Sequence, residues 1–239
     1  MKERFFLIST ILIFSLMIAN SCGPNKTREE KLEIEEVELQ GVPFTRKVKH
    51  DTVLFIAHKI ADYEVWKAAF DIAQPVREKH GVMVLNVFRD QNDTNLVLVY
   101  TNITNVERAK EYVTSESLQK SMQNAGVQGT MDLYWLTQEM SYNKDITDSI
   151  LFFMSFKVMK YDRWENAFLD DYRNEPDRDF QVINVLKGVE DQGLVGMLFA
   201  VNDHDYVQIM EKNNSFRAKM LAAGVISYPI TYKLREMPL

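Results

Sequence analysis

The sequence predicts an α+β protein in which one βαββαβ unit is written twice in tandem behind an N-terminal export segment. Two observations carry this. A single ungapped shift of about 98 residues lays the second half over the first. Within each half, short β-prone runs alternate with stretches whose apolar residues recur at helical spacing.

The shift places Val53-Leu54-Phe55-Ile56 over Leu151-Phe152-Phe153-Met154, and Tyr63-Glu64-Val65-Trp66 over Tyr161-Asp162-Arg163-Trp164. It carries Val84-Leu85-Asn86-Val87 onto Val182-Ile183-Asn184-Val185, and Ala125-Gly126-Val127 onto Ala223-Gly224-Val225. Tyr134 and Leu136 fall on Tyr232 and Leu234. One register held from strand to strand is the mark of a duplication.

Taken from the N-terminus, residues 1–22 read as a processing signal. Lys2 and Arg4 precede the apolar run Phe5 to Ala19, which is shorter than the roughly 20 residues a spanning helix takes. The run ends at Ala19-Asn20-Ser21-Cys22-Gly23, similar to a bacterial lipoprotein signal, with Asn20 departing from the usual small residue. Cys22 is the candidate lipidation site, and the expected address is the cell envelope, lipid-anchored on the outer membrane or its periplasmic face. Residues 23–50 are rich in Glu and Lys and read as a charged tether. Leu32, Ile34, Val37 and Leu39 leave open a short helix or strand within it.

Residues 51–138 form the first copy. Residues 53–60 are β-prone. Asp62 is placed to cap a helix whose Tyr63, Trp66, Phe70 and Ala73 make an apolar stripe, and Gly81 ends that region. Val82 to Arg89 and Leu96 to Thr101 are expected strands around a turn-rich loop. Thr104 with Glu107 has capping-box spacing and opens a second helix. Ser115 to Ala125 continues it to Gly126, and Asp132 to Gln138 closes the unit as a strand. Residues 139–148 read as a polar linker. Residues 149–239 repeat the pattern, with Asn202 and Asp205 in the capping positions. The βαββαβ order is the split-βαβ, ferredoxin-like plan, which leaves one sheet face bare. A tandem chain can cover that face with its own second copy, so a monomer with an internal pseudo-dimer is expected.

Bulk properties exclude several classes. The net charge is −6 and the 28 basic residues are dispersed, which argues against a nucleic-acid partner. Four His and one Cys leave little for a soft-metal site and allow no intrachain disulfide. No Gly-rich phosphate loop, G-x-S-x-G elbow or H-E-x-x-H motif occurs. No metal and no cofactor is expected.

The string His58 to Lys67, with Phe70-Asp71, Val87-Phe88-Arg89-Asp90 and the Ala125-Gly126-Val127 ending, resembles the dimeric α/β-barrel superfamily, which includes the antibiotic-biosynthesis-monooxygenase-like domains. The resemblance covers about residues 52–138 well and 149–236 more weakly. It implies two ferredoxin-like units forming a barrel, here within one chain. It implies no single activity, because the superfamily spans cofactor-free oxygenases, haem-degrading enzymes and proteins of no known role.

Each candidate residue has an ordinary structural reading beside the functional one. The stripe Tyr63, Trp66, Phe70, repeated as Tyr161, Trp164, Phe168, is core spacing before it is a ligand box. Asn86 and Asn184 sit unusually within strands, either satisfying a bulge or presenting an amide to a ligand. Lys59 and Lys157 read as rim charges. Asp170, Asp171, Glu175, Asp177 and Asp179, interleaved with Arg173 and Arg178, read as a solvated helix end rather than a calcium loop.

The halves differ at one set of positions. His58, Arg89, Tyr100 and Trp135 in the first copy correspond to Phe156, Lys187, Leu198 and Lys233 in the second. With Asn86, these four are the ligand-binding candidates; no catalytic residue can be named. The expectation is an envelope lipoprotein that binds a small, partly apolar molecule in the barrel of copy one. The alternatives are a cofactor-free monooxygenase or isomerase acting on a phenolic or polycyclic substrate, and a non-catalytic protein-interaction module. A closed apolar cavity with a polar residue at its base favours the first two; a filled interior with an exposed apolar patch favours the third.

Overall fold

The computed structural model describes residues 36–47, 50–142, 149–175, 180–202 and 212–239. The export segment with Cys22, the tether up to residue 35 (Leu32 and Ile34 included), linker residues 143–148, and Asp177, Arg178, Asp179 and Asp205 lie outside the described residues.

In chain order the elements are β1 (Glu36–Glu38), β2 (Phe44–Lys47), β3 (Thr52–Ile60), α1 (Tyr63–Ile72), α2 (Gln74–Lys79), β4 (Val82–Asp90), β5 (Leu96–Ile103), α3 (Val106–Val113), α4 (Glu116–Asn124) and β6 (Val127–Tyr142). The second half holds β7 (Ile150–Lys157), α5 (Tyr161–Asn174), β8 (Phe180–Gly188), β9 (Leu194–Val201), α6 (Asn214–Ala222) and β10 (Ile230–Met237).

All strands join one antiparallel sheet in the order β1-β2-β6-β3-β5-β4-β10-β7-β9-β8, and β8 pairs back onto β6. Eight strands therefore close a ring of hydrogen-bonded pairs. Each half contributes four strands in matching order, and the two seams, β4 with β10 and β6 with β8, are also matched. Two bulges recur at equivalent places, between Val84 and Asn86 and between Val182 and Asn184. They admit the two asparagines, whose amides reach across the seams: Asn86 Nδ2 donates to Glu236 Oε1 at 2.6 Å, and Gln138 Nε2 donates to Asn184 Oδ1 at 3.4 Å.

Alternation along each strand sends one set of side chains into the ring and the other under the helices. Phe55 stacks on Phe153 with centroids 4.1 Å apart and on Tyr100 at 4.3 Å, and the Tyr134 and Tyr232 hydroxyls meet at 3.0 Å. Eight strands enclose just enough room for such side chains. Under the helices, Ile60, Trp66, Val87 and Val97 form one cluster, and Leu54, Val82, Ala109 and Val113 another.

Local signals explain most boundaries. Asp62 caps α1 by accepting from the Val65 N–H at 2.9 Å, and Gly81 takes a positive φ of 76° after α2, which glycine adopts without a Cβ clash. The cap of α3 is Asn105, not Thr104: Asn105 Oδ1 accepts from the Arg108 N–H at 3.0 Å, while the Thr104 hydroxyl donates to the Gly81 carbonyl. Asn202 accepts from the Ser149 hydroxyl at 3.0 Å, and the helix it is expected to cap falls in residues 203–211, outside the described residues.

Two boundaries move. The closing strand of the first half runs on through residues 139–142, because β8 and β2 both pair with that stretch and satisfy its backbone. Part of the expected tether is structured as well. β1 and β2 form a hairpin turned at Gly41, and β2 extends the sheet along β6. Phe44, fully buried, anchors it against Phe168 and Tyr172 of α5.

Candidate functional site: a polar-based cavity between sheet and helices

The five candidate residues do not converge. Tyr100 and Asn86 lie on the ring side of the sheet. Tyr100 is stacked and buried, which pushes its hydroxyl up to about 12, and Asn86 is spent on the seam. Arg89 belongs to the helix side, its guanidinium 4.7 Å over the Tyr63 ring and donating to the Thr94 carbonyl. Its counterpart Lys187 stands over Tyr161 at 4.6 Å, so this difference between the halves conserves one contact. Trp135 packs in the cluster under α3, with Lys110 5.9 Å from its ring. The ring interior expected to hold a ligand is occupied by its own aromatic side chains.

His58 leads to a different place. It shares its face with Ile56 and Ile60, which point under the helices. There its ring lies 5.6 Å from Trp66. Only 3 % of His58 is exposed, and neither ring nitrogen has a hydrogen-bond partner among the described residues. Burial alone lowers its pKa to about 4, so the ring is neutral at physiological pH. A buried imidazole that donates and accepts nothing forgoes its hydration, a penalty of roughly 1–3 kcal/mol.

His58 lines a cavity of about 80 Å³ between the sheet, α1, α2, α3 and α4. Its walls are apolar, chiefly Trp66, Phe70, Val99 and Met122. Arg77 lines it too, a residue that sequence reading passed over as one charge among several in Gln74–Lys79. Arg77 is 8 % exposed, its Nη1 donates to the Phe70 carbonyl and its guanidinium stacks 3.7 Å over the Phe70 ring. Its Nε is unpartnered, and no carboxylate pairs with it among the described residues. Desolvation pulls its pKa down, opposed by electrostatic attraction to Tyr112, Asp71 and Glu78. The available signal was positional: Arg77 lies four residues after Ala73, on the stripe that includes Trp66 and Phe70, so it faces inward.

In the second half the equivalents of His58 and Arg77 are Phe156 and Glu175. The corresponding space there, about 490 Å³, has a lining that runs up to Asn213, at the edge of residues 203–211, which lie outside the described residues.

The cavity in the first half can take a small group with an oxygen or nitrogen acceptor. Arg77 supplies a charged donor, His58 either a donor or an acceptor according to tautomer, and the walls supply apolar contact.

No protein-family model matches the sequence, and no curated protein matches it either. Solved structures do. An anthrone oxidase-like protein aligns over 82% of this chain and 95% of its own, at 12% identity and a TM-score of 0.54. A proposed monooxygenase from Fusobacterium nucleatum aligns over 80% of this chain and 94% of its own, at 8% identity and a TM-score of 0.50. The chain has the fold of the dimeric α/β-barrel superfamily.

Proposed function

We propose that the chain binds a small, partly apolar molecule bearing an acidic oxygen, such as a phenol or enol, in the sheet–helix cavity of its first half. One observation carries the reading: His58 and Arg77, both buried, face one apolar cavity with hydrogen-bonding capacity unfilled. Buried polar groups are normally satisfied, and an orphaned pair in one place is what a ligand would complete. At about 80 Å³ the space holds a few waters' worth of volume, so an aromatic ligand needs α4 to shift. None of the residues of α4 is fully buried, which makes that displacement inexpensive.

The second reading is cofactor-free oxygenation of such a molecule. Solved neighbours described as a monooxygenase and as anthrone oxidase-like favour it. A neutral imidazole and a guanidinium that line one cavity are suited to accept a phenolic proton and to hold the resulting anion. Two further parts of the proposal concern architecture and address. The matched strand orders, seams and bulges support an origin by tandem duplication of one ferredoxin-like unit, closed as an intramolecular barrel. The position of Cys22 after the apolar run supports a lipid-anchored envelope protein.

The test uses 1-naphthol as a fluorescent phenolic probe and mass spectrometry of the protein purified from its own envelope. His58→Phe copies the second half and should weaken probe binding about tenfold while preserving the fold, and Arg77→Gln should do the same. Phe156→His should leave binding unchanged and cost stability. Unaltered binding in both His58→Phe and Arg77→Gln would show that the cavity is only a packing defect.

A further inference from the structure

The two halves act as controls for each other on their surfaces as well as in their cavities. At one end of the second half, Met159, Leu221, Ile226, Tyr228 and Ile230 are all exposed, Tyr228 to 81 %. The same shift of about 98 residues gives their first-half counterparts as Ala61, Gln123, Gln128, Thr130 and Asp132, all exposed too. Solvent therefore meets a small or polar residue at each of these positions in one half and a large apolar one in the other. Scattered exposed apolar residues are ordinary, but five gathered at one end of the fold are a patch.

The segment after β7 and the segment after α6 are tied by the Met159 N–H to the Gly224 carbonyl at 2.8 Å, the Ile226 N–H to the Lys157 carbonyl at 2.8 Å and the Lys157 N–H to Ser227 Oγ at 2.8 Å. Leu221 lies in the last turn of α6, directly before them. Pro229 has no N–H to give, and the ladder of β10 begins only at Ile230, which leaves Tyr228 standing out from the sheet end.

The charges around the patch change with it. Lys160, Arg163 and Arg217, all exposed, replace Asp62, Val65 and Gln119 of the first half. Lys157 is engaged by Asp191 at 2.8 Å, just as Lys59 is by Asp93 at 2.9 Å, so the gain is the other three. None of the three has a carboxylate within ion-pair distance among the described residues. Arg163 donates to the Ala222 carbonyl at 3.1 Å, and Arg217 reaches the Tyr228 hydroxyl at 3.3 Å with its guanidinium 5.7 Å from the ring. The whole chain is acidic at −6, which makes a local cationic rim the more distinct.

Exposed aliphatic side chains and one tyrosine, ringed by lysine and arginine with no carboxylate partner among the described residues, match the chemistry of an anionic bilayer surface. The apolar residues enter the acyl boundary, the phenol sits at headgroup depth, and the cations meet phosphate. We infer that this end of the second half docks on anionic phospholipid and orients the body on the membrane. The inference rests on the patch and holds whether or not Cys22 is lipidated.

A position-specific readout tests it in the full chain. In a Cys22→Ser background, which removes the only native thiol, Ile226→Cys and separately Gln128→Cys are labelled with a fluorophore. Vesicles of phosphatidylcholine, with and without phosphatidylglycerol, carry a quencher in their acyl chains. Quenching at position 226 should exceed that at 128 by about threefold or more, and only with phosphatidylglycerol present. Replacing the rim by first-half residues (Lys160→Asp, Arg163→Val, Arg217→Gln) and Tyr228→Thr should bring position 226 down to the level of 128. Circular dichroism of that variant should be unchanged, since every replacement already stands at an exposed counterpart. Equal quenching at both positions overturns the inference, as does quenching that survives the four replacements. Shielding of position 226 that grows with protein concentration without vesicles would assign the patch to a second copy of the chain and likewise overturn it.

Discussion

His58 carries a second consequence beyond the cavity, because its protonation is linked to folding. Its pKa is about 4 in the folded chain against an ordinary value of 6.5. Above pH 6.5 neither state binds the proton, and the stability is at its full value. As pH falls from 6.5 towards 4 the unfolded chain takes up a proton that the folded chain refuses, so stability falls, by about 3 kcal/mol over the window. His58→Phe should remove this dependence. Urea unfolding at pH 7 and near pH 4.5 should show the native protein losing about 2–3 kcal/mol more than the variant. The sequence showed that His58 stood where the other half has Phe156, and alternation put it on the face of Ile56 and Ile60. Which face the helices cover is decided by the burial of the helix stripes, so the residue could be singled out before its surroundings were known. Arg77 was missed because a cation in a short polar segment gives no sign of burial until α2 is laid against α1 and the sheet.

At the scale of elements, the β1–β2 hairpin shows how composition misleads. Half of residues 36–47 are charged or polar and the stretch reads as tether, yet the hairpin is held by a single fully buried ring and by main-chain bonds to β6. Arg46 pairs with Glu165 of α5 at 3.0 Å, and the Arg173 Nε donates to the Gln40 carbonyl at 3.4 Å, which adds polar contacts at the rim. An edge strand buries one face only, so its charges stay in water and its pattern is dilute. Phe44→Ala should cost about 3–5 kcal/mol, the range for deleting a buried phenylalanine, whereas Val37→Ala in the exposed β1 should change stability by less than about 0.5 kcal/mol. Chemical denaturation of the two variants checks both. Comparable small effects would mean the hairpin only rests on the body. The shift from Thr104 to Asn105 at the start of α3 has the same root: both side chains can cap, and tertiary contact with Gly81 takes the threonine away.

At the scale of the molecule, the proposed lipid anchor rests on one atom, the sulfur of Cys22. Cys22→Ser should abolish labelling by a radioactive fatty acid and move the protein from the membrane fraction to the soluble periplasm. Retention in the membrane without labelling would mean that the apolar run from Phe5 to Ala19 holds the chain by itself. The docking patch of the second half is weaker than either anchor, since interfacial attachment of a few side chains is reversible. Its expected effect is on orientation.

The element order and the two-sided strands were legible in the sequence alone, because each depends on local periodicity and on one register that runs the length of both halves. The tertiary structure alone decided what fills the closed ring and where space is left. Phe55, Phe153, Tyr134 and Tyr232 look the same in sequence whether they line a pocket or meet at its centre. Only the closure of β6 against β8 and β4 against β10 brings residues about 98 apart face to face, and that contact moves the candidate site from the ring to the helices.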